Sequence, residues 1–120
     1  MNVTVANTAE KIMGDRPVAT STEYDSRPEG TMKALRWYGK QNVKVEEVPI
    51  PTVTDPEDVV CKVTGTTICG SDLHLYHKEI LQLKAGDILG HEWMGIVEEV
   101  GAGVKNLKKG DRVVASFQIS

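Results

Sequence analysis

Val59-Val60-Cys61-Lys62-Val63-Thr64-Gly65-Thr66-Thr67 is β-branched at most positions, and side chains stiff at χ1 pack best on a pleated surface. The stretch predicts a strand, the clearest in the chain. Val59, Cys61 and Val63 fall on one face, which makes Cys61 a small core residue. Asp55-Pro56-Glu57-Asp58 before it is a turn. Further back, Glu47-Val48-Pro49-Ile50-Pro51 is expected to leave the sheet, because two prolines cannot donate to a central ladder. Val43-Lys44-Val45-Glu46 alternates apolar and charged residues with the period of a half-buried strand. Met32-Lys33-Ala34-Leu35-Arg36-Trp37-Tyr38 reads as another strand, closed by Gly39.

On the other side, Gly70-Ser71-Asp72 opens a short helical segment running through Leu73 to His77. Ile80 to Gly90 is loop-like, with Gly86-Asp87 as punctuation. Trp93 to Val100 reads as a strand ended by Gly101-Ala102-Gly103. Lys108-Lys109-Gly110-Asp111 is a turn, and Arg112 to Ala115 a further strand. Glu98-Glu99 reads as a solvated strand end. Short strands joined by Gly and Pro turns predict a mainly β chain with short helices, a small barrel or sandwich. Residues 1–31 differ: they are rich in Thr, Ser, Asp and Glu and interrupted by Pro17, Pro28 and Gly30. They read as a flexible N-terminal extension, with a short helical turn around Ala9 to Met13, ahead of a folded domain at 32–120.

The chain has 120 residues, 40% hydrophobic and 26% charged, the balance of a globular domain. Fourteen Lys plus Arg against seventeen Asp plus Glu give a net charge of −3, with no basic excess for a nucleic-acid backbone. No apolar run approaches the roughly 18 residues of a membrane span. Nucleic-acid and membrane partners are therefore not expected. Two cysteines do not make a disulfide framework, and Met1 to Thr8 carry no secretory signal. Five acids among the first thirty residues argue against a mitochondrial presequence, so the expected compartment is the reducing cytoplasm. A complete two-domain enzyme with its own dinucleotide fold does not fit in this length.

Potential metal ligands concentrate in one region. Cys69 lies where a strand ends, and His91-Glu92 lie 22 positions on, where the later strand begins. Zinc accepts thiolate, imidazole and carboxylate together, and strand mouths can converge in space. Each residue has a plainer reading by itself: Ser71 and Asp72 as helix caps, His74 and His77 as solvated histidines. Only the joint pattern lifts Cys69, His91 and Glu92 above such readings.

Cys69-Gly70-Ser71-Asp72-Leu73-His74, with Gly90-His91-Glu92-Trp93-Met94-Gly95-Ile96-Val97-Glu98-Glu99-Val100-Gly101, resembles the zinc-dependent medium-chain alcohol dehydrogenases. The nearest likeness is to the formaldehyde dehydrogenase-like branch. Val104, Leu107 and Gly110-Asp111-Arg112-Val113 extend the resemblance, which covers about residues 32–120. It implies an incomplete GroES-like β-barrel, the N-terminal part of the catalytic domain. It further implies that Cys69 and His91 ligate a catalytic zinc, and that Glu92 binds the metal or stands beside it. Ser71 would hydrogen-bond the substrate alcohol and begin proton removal, His74 would be the outer end of that relay, and Asp72 would orient a ligand imidazole. The implied activity is NAD(P)-dependent oxidation of a small alcohol, or the reverse reduction of an aldehyde.

No Gly-x-Gly-x-x-Gly fingerprint occurs in the chain, because Gly101-Ala102-Gly103 lacks the third glycine. The expectation is that NAD(P) would be held by a domain outside these residues, and that the isolated chain is inactive. Its end at Ser120 falls before the family's structural-zinc loop. The rival expectation is a non-catalytic binding or regulatory module derived from such an enzyme. Either form could make a homo-oligomer or associate with a full-length relative.

Overall fold

The computed structural model describes residues 22–77 and 83–116. In chain order these form strands β1 (Ser26–Gly39), β2 (Asn42–Pro51) and β3 (Val59–Thr66), helix α1 (Gly70–Tyr76), and strands β4 (Trp93–Val100) and β5 (Arg112–Val114). β1 and β2 make a two-stranded antiparallel ladder, and β3, β4 and β5 make a three-stranded antiparallel sheet in that order. The mainly β expectation with one short helix holds for the described residues. The helical turn expected at 9–13 lies outside them, as do residues 78–82 of the loop before His91.

The β3 expectation is met almost residue for residue, with one change of face. Val60 and Cys61 are both buried although adjacent, because a register shift between them interrupts the alternation. Cys61 is 3% exposed and does lie in the core. Burial pushes its thiol above the ordinary pKa, and the Glu98 carboxylate adds to that.

Two boundaries differ from the sequence reading. β1 begins at Ser26 rather than Met32, so residues 26–31, grouped with the extension by their polar composition, are strand. Their partners are the residues expected to leave the sheet: Thr31 pairs with Pro49 and Ser26 with Pro51. The prolines are tolerated because β2 has only one neighbour among the described residues, so an N–H missing from its far side costs no ladder bond. Lys40 and Gln41 close the hairpin. Gln41 takes φ 55°, in the left-handed region, and its amide donates to Tyr76 O at 2.7 Å.

Glu98 and Glu99 are not a solvated strand end. Glu98 Oε2 accepts from Arg27 Nη2 at 2.9 Å, and Glu99 Oε1 accepts from the Thr52 hydroxyl at 2.6 Å and the Val53 amide at 3.1 Å. They tie β4 to β1 and to the segment that follows β2. The buried apolar residues are Ala34, Trp37 and Val48 from the ladder, Val60, Cys61 and Val97 from the sheet, and Leu89.

The segment before His91 is fixed by β1. Trp37 N donates to Asp87 O at 2.8 Å, Gly86 N to Trp37 O at 2.7 Å, and Leu89 N to Leu35 O at 2.9 Å. Residues 86–89 thus run along β1 as a short extra rung and deliver Gly90-His91-Glu92 to the start of β4.

Candidate metal centre

β3 leaves the sheet at the end where β4 enters it. Thr66 pairs with Trp93, and the Thr67 amide then donates to Glu92 O at 3.0 Å, carrying the ladder one residue further. Two positions later stands Cys69. This antiparallel register is what brings a thiol and an imidazole 22 positions apart in sequence to one place.

Cys69 caps α1. Asp72 N donates to Cys69 O at 3.0 Å, and the Cys69 amide returns a hydrogen bond to Asp72 Oδ2 at 2.9 Å. The reciprocal pair satisfies two donors at the helix start, so the cap expected of Gly70-Ser71-Asp72 is made one residue earlier, on Cys69 itself. The other oxygen, Asp72 Oδ1, is buried and 3.3 Å from His91 Nδ1. It lies within ion-pair reach but makes no hydrogen bond of good geometry. Asp72 therefore faces both ligand-bearing segments, and with Nδ1 turned to the carboxylate, Nε2 is the ring nitrogen turned to the site.

Cys69 Sγ, a His91 ring nitrogen and a Glu92 carboxylate oxygen all lie within 4.8 Å of one another, each residue half-buried. The Ser71 hydroxyl sits among them, 3.4 Å from Cys69 Sγ and 3.2 Å from His91 Nε2. Tetrahedral zinc with thiolate and imidazole ligands holds its donors about 3.5 Å apart. The residues fit such an ion on two grounds: the donor set is soft thiolate, imidazole and carboxylate, and an orphaned buried carboxylate oxygen faces the non-ligating ring nitrogen. The structure thus brings together five of the six residues singled out in the sequence. His74, the sixth, is exposed in the last turn of α1.

Thr67 is the residue that sequence reasoning missed. Its hydroxyl is 3.1 Å from Glu92 Oε2 and 3.5 Å from the Glu92 backbone carbonyl, while the neighbouring Thr66 hydroxyl contacts that carbonyl, at 3.1 Å, and not the carboxylate. A threonine at a strand end carries no motif. The signal available was its place opposite Glu92, which requires the β3–β4 register.

Beside the cluster lies a mostly apolar groove of about 370 Å³, bordered by Ile68, Asp72, Leu73, Tyr76 and Leu89. Ile68 and Leu73 expose large apolar side chains there, and Met94 and Val114 do so beyond Glu92.

Two antiparallel sheets, with thiolate, imidazole and carboxylate gathered where β3 and β4 meet, define a small β domain with a metal-type donor cluster. The chain belongs to the alcohol dehydrogenase GroES-like domain family, whose model matches residues 55–119. A zinc-type alcohol dehydrogenase-like protein of Schizosaccharomyces pombe is 49% identical over 117 residues, which are 95% of this chain and 28% of that protein. The alcohol dehydrogenase TADH from Thermus sp. ATN1 superposes with a TM-score of 0.65 at 46% identity, over 69% of this chain and 24% of its own. A protein from Sinorhizobium meliloti 1021, solved bound to NADP, superposes with a TM-score of 0.62 at 39% identity, over 70% of this chain and 24% of its own. The chain spans about a quarter of the length of the relatives it matches. Its fold is a partial GroES-like domain, as the resemblance implied.

Proposed function

We propose that this chain is the catalytic-zinc portion of an NAD(P)-dependent alcohol dehydrogenase that interconverts small alcohols and aldehydes. One observation carries the reading: the Cys69, His91 and Glu92 donors converge within 4.8 Å around the Ser71 hydroxyl. Cys69 and His91 would hold the metal, with Glu92 joining or standing beside them. When bound, zinc supplies Lewis-acid polarisation of the substrate oxygen.

The chain's own residues supply the rest. Ser71 presents a hydroxyl that can accept the substrate proton and pass on its own, and His74, one helical turn along and exposed, is the route to solvent. Asp72 Oδ1 lies 3.3 Å from His91 Nδ1, a place from which it can orient the imidazole with Nε2 toward the site. The NADP-bound relative supports a nicotinamide acceptor, held by residues other than these.

The formaldehyde dehydrogenase-like branch rests on the Gly90–Gly101 motif. A cytoplasmic setting accords with two free thiols and with no described helix long and apolar enough to cross a membrane. Exposed Ile68, Leu73 and Val114 support association with a second copy or a longer relative.

The test uses Co²⁺ as a spectroscopic stand-in for zinc. The purified chain is expected to bind one equivalent with a thiolate charge-transfer band that disappears in Cys69→Ser. In a longer protein carrying these residues, Cys69→Ser and His91→Ala should abolish NAD(P)-linked turnover, and a panel of short aldehydes against polyols tests the branch. Cobalt binding that survives Cys69→Ser would sink the metal assignment. The isolated chain should show no turnover with zinc and NADH.

A further inference from the structure

We propose that Thr67 is the positioning residue for Glu92, holding its carboxylate toward the Cys69–His91 pair. The inference rests on the metal reading above and adds a residue to it. Two contacts make the placement specific. The Thr67 amide grips the Glu92 carbonyl at 3.0 Å, which fixes the two residues side by side where the β3–β4 ladder runs out. From that anchored backbone the Thr67 hydroxyl donates to Glu92 Oε2 at 3.1 Å, the shorter of its two contacts, the Glu92 carbonyl oxygen lying 3.5 Å away.

A glutamate has three side-chain torsions, and at a half-buried strand end water competes for both of its oxygens. Engaging one oxygen on a rigid β-branched partner removes much of that freedom and keeps the carboxylate within 4.8 Å of Sγ and the imidazole. Thr66 shows that this is a property of one position. Its hydroxyl reaches only the Glu92 backbone carbonyl and leaves the carboxylate alone. Thr67 thus acts on the metal through Glu92, without touching the ion.

The experiment is a Co²⁺ titration of the full 120-residue chain, read by visible absorption and by competition with a chelator. Thr67→Val is expected to weaken binding about tenfold, the lower end of the loss that follows removal of a ligand's hydrogen-bond partner, and to alter the d–d bands. Thr67→Ser, which keeps the hydroxyl, should restore both, and Thr66→Val should bind like the parent. In a Glu92→Gln background, Thr67→Val should add nothing. Circular dichroism monitors folding, with Thr67→Ala as the second hydroxyl-deleting variant.

Unchanged affinity and spectrum in Thr67→Val and Thr67→Ala would overturn the proposal. So would an equal loss in the Glu92→Gln background, since the effect would then run through the backbone. Absence of Cys69-dependent cobalt binding in the parent chain would instead remove the metal reading on which the proposal rests.

Discussion

A Cβ built on Gly95 falls 2.5 Å from the Lys62 carbonyl oxygen, and one on Gly101 falls 2.1 Å from that of Pro56. Neither neighbour is the flexible end of a side chain. Gly101 N donates to Asp58 O and Gly103 N to Pro56 O, both at 2.8 Å, so the turn before β3 and the turn after β4 lie backbone on backbone. Overpacking of this kind costs about 1–3 kcal/mol. Gly101→Ala should lower the melting temperature by roughly 10 °C, with Gly95→Ala close behind, whereas Gly70→Ala meets no atom within 4 Å and should change little. The two thiols separate in the same way. Cys61 is buried with its pKa raised, and Cys69 is half-exposed. A disulfide reagent should titrate one thiol in the folded chain and two after denaturation, and zinc should slow the first.

At the scale of the element, β4 holds the assembly together through its two terminal acids. The Thr52 hydroxyl above all, and the Val53 amide with it, hold the Glu99 carboxyl below its ordinary range. A carboxylate whose folded pKa is depressed adds stability above its unfolded value, and that stability is lost as pH falls through the folded one. Acid unfolding below about pH 4.3 should therefore carry a Glu99 contribution. Glu99→Gln should flatten that limb of the stability–pH curve, and Thr52→Val should shift it upward. Unchanged curves in both variants would contradict the clamp. Elements were legible where local chemistry decided them: the β-branched run of β3 and the glycine-bounded run of β4 fall at their predicted places. They were not legible where a partner decided them. Pro49 and Pro51 remain strand because β2 lies in a two-stranded ladder, and residues 26–31 become strand because β2 continues opposite them.

For the whole molecule, the site was legible as a list of side chains but not as an arrangement. Cys69, His91 and Glu92 could be named from residue type and spacing, since metal chemistry restricts the candidates, and Ser71 and Asp72 from the family resemblance. Thr67 could not, because its relevance comes from a cross-strand neighbour. The cluster also couples ligand to stability. At a hundred times its dissociation constant, bound zinc should add about 2.7 kcal/mol and raise the melting temperature by 10 °C or more, an increment lost in Cys69→Ser.

The two oxygens of Asp72 have separate duties, one on the Cys69 amide and the other toward the His91 ring. The donor trio is consequently not a portable cassette. Grafting cysteine, histidine and glutamate onto the strand ends of another barrel would transplant the ligands without the shared brace that sets their mutual orientation. A successful transplant would have to carry the first turn of α1 as well, so the smallest transferable unit is a strand end, a helix start and the facing strand together.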